Sequence, residues 1–366
     1  MRRIGFLLCS ATLVAGPLEP PDSAEVCGRC HRAIHEAWKT SAHARAAEDR
    51  RFQDALEAAE ADLGPEARRS CLACHAPVAA RIGDLSLRRK VSWEGVTCDY
   101  CHSMREVSIG SPNPRARIEF TPVKSGPLTD AASSAHGTVF SDVHTSSLAC
   151  APCHEYRNPL GFAVLTTYSE WKSSPAAAEG KHCQSCHMYR VAGDVVDPRL
   201  ERSSGAKVNL HQMPGSHSLE QLMRTIGASI DTERDGAVLR VSVTVTNRTA
   251  GHSVPTGSSL RELVLEVKAD GYDGQHFSDR RVYRRVLGDQ HGNPIDREHL
   301  AILRSAKVLS DTRLASGEKR TEVFTFPLPA GVQASVLATV SYQYAPMARP
   351  EPQKPLRFLT LRRLVK

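Results

Sequence analysis

From Leu239 onward the chain alternates. Leu239, Val241, Val243 and Val245 are separated by Arg240, Ser242, Thr244 and Thr246, a period of two that puts all four apolar side chains on one face of a strand. The pattern returns at Leu263, Leu265 and Val267, and apolar runs follow from Val282 to Val286, Val323 to Phe326, Val336 to Tyr342 and Phe358 to Leu361. Six or seven strands over about 140 residues predict a half-buried antiparallel β-sandwich of immunoglobulin-like type across residues 221–366. Its plainest role is a packing lid.

The preceding part of the chain reads differently. From Ala24 to about Ala59 the periodicity is helical, with Cys27, Cys30, Ile34 and Trp38 on roughly one face. From Gly83 to Lys124 and from Ser125 to Ser147, Pro, Gly and Ser are frequent and periodicity is weak, which predicts loops. The expected fold class is mixed: a mostly α and irregular domain over residues 21–220, then the antiparallel β-sandwich. Residues 1–20 have the shape of a secretory leader, Met1-Arg2-Arg3 followed by an apolar run to about Ala15. That run is shorter than the roughly 20 residues a bilayer span needs, and no other long apolar stretch occurs, so no transmembrane segment is expected. Cys9 sits inside the run, but Leu8 stands where a lipid-attachment signal wants a small residue.

Composition adds one anomaly. Apolar residues are 41% and charged residues 24% of the 366, ordinary for a soluble protein and unlike a disordered or membrane-embedded one. The chain nevertheless has 11 cysteines and 16 histidines. All ten cysteines after the leader fall into one spelling, Cys-x-x-Cys-His: Cys27, Cys30 and His31; Cys71, Cys74 and His75; Cys98, Cys101 and His102; Cys150, Cys153 and His154; Cys183, Cys186 and His187. Chance predicts about 0.01 such segments in a chain of this composition. One helical turn brings the two sulfurs to the same side, where each forms a thioether with a haem vinyl group, and the histidine that follows faces the iron. Zinc would need the cysteine pairs joined two by two, and five pairs leave one over. Neither zinc nor disulfides explain a histidine after every second cysteine. Five covalently bound haem c groups are expected, with the five motif histidines as proximal iron ligands.

Haem changes the reading of charge. A formal +7 points to nucleic acid or acidic membranes. Each ferric haem with two neutral ligands carries about one net negative charge, so five offset most of it, and no nucleic-acid partner is expected.

The distal ligands must come from the remaining histidines. Met104, Met188, Met213, Met223 and Met347 are few, and Met104 and Met188 lie too close to their own motifs, so bis-histidine ligation and low potentials are expected. His43 follows the first motif on the expected helix, His144 precedes the fourth motif, His211 and His217 bracket Met213-Pro214-Gly215, and His252 lies on the loop Gly251-His-Ser-Val-Pro-Thr-Gly257. These five are the distal candidates, with His136 in reserve; His35, His182, His276, His291 and His299 are read as non-ligands. A short repeat aligns Glu36-Ala-Trp38-Lys-Thr-Ser-Ala-His43 with Ser169-Glu-Trp171-Lys-Ser-Ser-Pro-Ala176, so Ala176 stands where the first copy has His43.

The stretch 24–217 resembles the tetrahaem cytochromes that accept electrons from hydroxylamine oxidoreductase. The resemblance rests on Cys27-Gly-Arg-Cys-His31 running into Glu36-Ala-Trp-Lys-Thr-Ser-Ala-His43, on Glu94-Gly-Val-Thr-Cys-Asp-Tyr-Cys-His102, and on Tyr168-Ser-Glu-Trp171 leading to Cys183-Gln-Ser-Cys-His187. The Gly251–Gly257 loop looks like one in larger relatives with an added β domain. The resemblance implies closely stacked haems, mostly bis-histidine, passing electrons between periplasmic redox partners. This chain departs from the pattern in having five motifs instead of four. The leading expectation is an exported electron carrier with no catalytic residue. The alternatives are a haem enzyme with one open iron acting on a small nitrogen or sulfur compound, and a self-associating subunit of a conducting filament.

Overall fold

The computed structural model describes residues 21–110, 112–200, 207–344 and 355–366. The leader, Cys9 and Met347 lie outside them.

The expected continuous helical stretch is broken into three. Helix α1 (Ala24–Gly28) and α2 (Arg32–Lys39) are separated at the first motif, and α3 (Arg50–Leu63) starts after a run of turns. His43 therefore stands in that run, beyond the end of α2, rather than on a helix. Asp49 caps α3, its carboxylate accepting from the Arg51 and Phe52 amides. Gly64, at φ +86°, makes the sharp turn into α4 (Pro65–His75), which carries the second motif. The third and fifth motifs form short helices of their own, Cys98–His102 and Cys183–His187, and the fourth is split between a 3-10 turn ending at Cys150 and the helix Ala151–His154. The stretches expected as loops contain short two-stranded pairs, Met104–Ser108 with Arg115–Ile118 and Val123–Gly126 with Gly137–Phe140. Apolar clusters in this half are small.

The C-terminal part holds β1 (Ile226–Asp235), β2 (Val238–Asn247), β3 (Arg261–Gly271), β4 (His276–Tyr283), β5 (Arg285–Gly288), β6 (Lys307–Asp311), β7 (Lys319–Pro327), β8 (Ala334–Tyr344) and β9 (Leu356–Val365). One sheet has the order β7-β2-β1 and the other β4-β3-β8-β9, all antiparallel, while β5 and β6 pair separately. Leu239, Val241, Val243 and Val245 of β2 are fully buried and face Leu263, Leu265, Val267, Val336 and Val340 of the other sheet across one core. Burying each such side chain stabilises by about 1.5–3 kcal/mol.

Three features differ from the sequence reading. Strand β1 was not expected, because its outer half, Asp231-Thr-Glu-Arg-Asp235, is polar. The run Val282–Val286 is two strands, broken at Arg284, whose guanidinium bonds Glu262 at 2.7 Å. Strands β3 and β8 are buried on much of both faces rather than half-buried.

Candidate haem-binding site

All ten motif cysteines and all five motif histidines line one cavity of about 2240 Å³, which also reaches the edge of the sandwich. Ordinary small-molecule pockets measure about 300–1,000 Å³. In a chain with small apolar clusters beside it, so large a hollow lined by paired thiols fits several covalently held macrocycles serving as the core. Among the described residues no three His, Cys, Asp or Glu side chains gather as a zinc cage would require, and no two of the ten motif cysteines are joined as a disulfide. The donor set and the cavity fit five haem c groups.

The attachment segments are neighbours in a fixed pattern. The sulfurs of Cys27 and Cys98 are in hydrogen-bond contact, and so are those of Cys74 and Cys153 and of Cys150 and Cys183. The first segment thus abuts the third, the second the fourth, and the fourth the fifth. The Trp38 repeat is structural as well: the Trp38 indole donates to the Val96 carbonyl at 3.0 Å and the Trp171 indole to the Lys181 carbonyl at 2.8 Å. Each acceptor lies two residues before the first cysteine of a motif. The first and third segments therefore form one module, and the fourth and fifth a second.

The histidines are held ready to ligate. Ring nitrogens facing backbone carbonyls must be the protonated ones: His31 Nδ1 donates to Val195 at 2.6 Å, His102 to Ser125 at 2.6 Å and His187 to Pro214 at 2.6 Å, with His75 to Ala46 longer at 3.4 Å. That tautomer leaves Nε2 with a free lone pair for a metal. Burial pushes His154 down to about 3 and His75 to about 4, so both rings stay neutral at ordinary pH.

Two imidazoles on opposite sides of one metal, with metal–nitrogen bonds of about 2 Å and ring centres roughly 1 Å further out, have centroids roughly 6 Å apart. His31 and His136 lie 6.2 Å apart, His154 and His43 6.2 Å, His187 and His252 6.3 Å, and His102 and His211 6.4 Å. His136, read from sequence only as a reserve, is thus in a pair. His211 donates through Nδ1 to Asn209 at 2.6 Å, His136 to Gly137 and His252 to Ser253, both at 2.9 Å.

The other two distal candidates stand elsewhere. His144 is 5.5 Å from His102, closer than His211, and its Nε2 is engaged with the Cys101 carbonyl while its buried Nδ1 lacks a partner. His217 packs edge-on against Tyr342, with centroids 5.7 Å apart. The ring contact of His75 is with Phe52, stacked at 4.0 Å. Among the expected non-ligands, His299 bonds Asp62, exposed His276 bonds Asp270, His182 packs on Trp171, His35 packs on Trp38, and His291 lies in the exposed turn after Asp289.

Two close approaches fix the backbone beside His43 and His252. Gly95 (φ +59°) lies so near the first module's turn that a Cβ there would meet the His43 carbonyl at 2.2 Å. Gly251 packs on Ala176 and Trp171, where a Cβ would come to 3.0 and 3.1 Å. Glu170 holds the same loop, accepting from the Ser253 amide at 3.1 Å, the Thr256 hydroxyl at 2.9 Å and Arg313 at 2.7 Å. Sequence reasoning took Ala176 as a lost ligand; the space it leaves is where the loop bearing His252 enters. Glu170 stands in the Tyr168-Ser-Glu-Trp171 stretch, where the sequence gives no sign of its bonds to a loop of the other half.

The model of the family described as cytochrome c554 and c-prime matches residues 26–103, which hold the first three motifs. A penta-heme cytochrome c552 from Thermochromatium tepidum has a similar structure, with a TM-score of 0.72 and 22% identity over 94% of this chain and 99% of that one. At that identity the likeness shows a shared fold. Spo0M, a sporulation control protein from Bacillus subtilis, aligns with 38% of this chain and 48% of its own at 13% identity, with a TM-score of 0.16 that carries no argument. Among curated proteins none matches the sequence. Among the described residues no helix is long and apolar enough to cross a membrane.

Proposed function

We propose that this chain is an exported five-haem c-type cytochrome that passes electrons between redox partners, four of its haems being held by two histidines each. The reading is carried by one observation: four motif histidines have a second imidazole at the spacing of opposite ligands, at 6.2 to 6.4 Å. The pairs are His31 with His136, His102 with His211, His154 with His43, and His187 with His252. Two-histidine ligation favours low potentials and leaves such irons no position for a substrate. The touching sulfurs of neighbouring segments support an unbroken array, the first haem beside the third and the fourth joining the second and fifth. The third meets it through Tyr100, which interacts with Cys101, Cys74 and Cys153.

His252 belongs to the β half, so the sandwich would complete the fifth haem rather than only cover it. The resemblance to electron acceptors of hydroxylamine oxidoreductase supports a donor of that class, and the leader-like residues 1–20 support a periplasmic or extracellular setting. A spectroelectrochemical titration tests the reading: five one-electron steps at low potential are expected, and haems that do not exchange electrons with one another oppose it.

A second reading is favoured by His75, which stacks on Phe52, while His217 contacts Tyr342. The iron of the second haem would then hold one protein ligand and accept a small molecule on its other side. A high-spin ferric EPR signal from one iron in five tests this.

A further inference from the structure

We infer that His217, Arg261 and Tyr342 form a pocket for a small anion beside the second attachment segment, an inference that rests on an open position at the second haem. The segment's surroundings come from both halves of the chain. Phe52 of α3 covers the His75 ring, and Arg51, one residue earlier, reaches over the Tyr344 ring at 5.8 Å. The helix Glu298–Arg304 packs beside α3, with His299 bonded to Asp62. The remaining wall is the end of the four-stranded sheet, where β3 and β8 pair Arg261 with Tyr344 and Leu263 with Tyr342. Arg261, Tyr342, Tyr344, His217 and His75 all line the one cavity.

Three observations give the wall its chemistry. Tyr342 is 3% exposed and its buried hydroxyl has no hydrogen-bond partner. An unsatisfied buried hydroxyl costs about 1–3 kcal/mol, so a tyrosine where phenylalanine would pack equally well calls for a ligand. Arg261 spends one nitrogen on the Thr256 carbonyl at 3.0 Å, and its charge acts on His75, His154, His217 and Tyr344. Two carboxylates stand nearby, Glu298, which accepts from Tyr344 at 2.8 Å and Ser258 at 2.7 Å, and Asp49, which caps α3 and acts on His217. Against them are three guanidiniums, Arg51 and Arg45 adding to Arg261 around His217, which leaves the wall donor-rich and positive on balance. Such a wall selects an anion over a cation, and one with lone pairs on at least two atoms, so that one faces a metal and another the phenol or guanidinium.

The test uses the air-oxidised holoprotein, titrated with azide and with nitrite and followed by EPR and optical spectra. A high-spin signal from one iron in five is expected to convert as either anion binds, with Tyr342→Phe and Arg261→Gln each weakening binding about tenfold. Imidazole, a neutral ligand, should bind the same haem unchanged in both variants. Tyr342→Phe removes only an unpartnered hydroxyl, so the fold persists and the haem count controls for it. If the anions bind wild type and both variants equally, the pocket is wrong while the open iron stands. If there is no high-spin iron and no binding, the open iron falls and the pocket with it. A high-spin signal that appears only in His217→Ala makes His217 an iron ligand and overturns the pocket.

Discussion

The ring of His252 lies 6.3 Å from that of His187 and within 14° of parallel to it, although one belongs to the β-sandwich half and the other to the last Cys-x-x-Cys-His segment. With His252 as a second ligand of the fifth haem, as proposed, two halves of different character would meet at one metal position. His252→Ala should leave five haems attached and turn one additional iron high-spin. Low-temperature EPR of the ferric protein reads this directly, and an unchanged spectrum removes His252 from the ligand set.

The loop that presents His252 is held by Glu170, and the Glu170–Arg313 pair is mostly buried, with 14% and 10% of the side chains exposed. Glu170→Ala leaves Arg313 with its Asp311 contact but strips the loop of two donors' partner. A loss of about 3 kcal/mol is expected, measured by denaturant unfolding of the holoprotein, with a partly high-spin fifth haem.

Gly251 and Gly95 mark the two places where backbone must pass close to its neighbour. Gly251→Ala presses on Ala176 and Trp171, a strain of roughly 1–3 kcal/mol. Gly95→Ala drives a methyl into the His43 carbonyl, and should cost about 2 kcal/mol or more while loosening the His154–His43 pair. Thermal unfolding checks both, with the spin state of the fourth haem reading Gly95→Ala and that of the fifth reading Gly251→Ala.

His211 and His144 both lie beside His102, which would hold the third haem, with ring centroids 6.4 and 5.5 Å away. His211→Ala should make that haem high-spin, whereas His144→Ala should leave the spin states unaltered, because the His144 Nε2 is already bonded to Cys101. The reverse result assigns the ligand to His144 through its Nδ1.

Much of this was legible in the chain. Alternation located β2, β3, β8 and β9, because their inner faces are mostly apolar. It missed β1, where Asp231, Glu233 and Asp235 put charge into a strand whose partner β2 supplies the pairing. The haem half shows little periodicity because cofactors, not side chains, are expected to fill its centre, so hydrophobic spacing had nothing to report there. The motif cysteines and histidines were plain from spacing alone. Which histidine pairs with which was not: three of the four imidazole pairs join residues more than a hundred positions apart, and His136 lies in a polar stretch that looks like any loop. Ala176 was informative, but what it signalled was room for Gly251.

The central claim is that four of five haems have two histidine ligands. A pyridine haemochrome count combined with quantitative EPR of the oxidised holoprotein tests it most directly. Five haems per chain, with four irons low-spin, is the predicted result. A count other than five, or two or more irons high-spin, contradicts it.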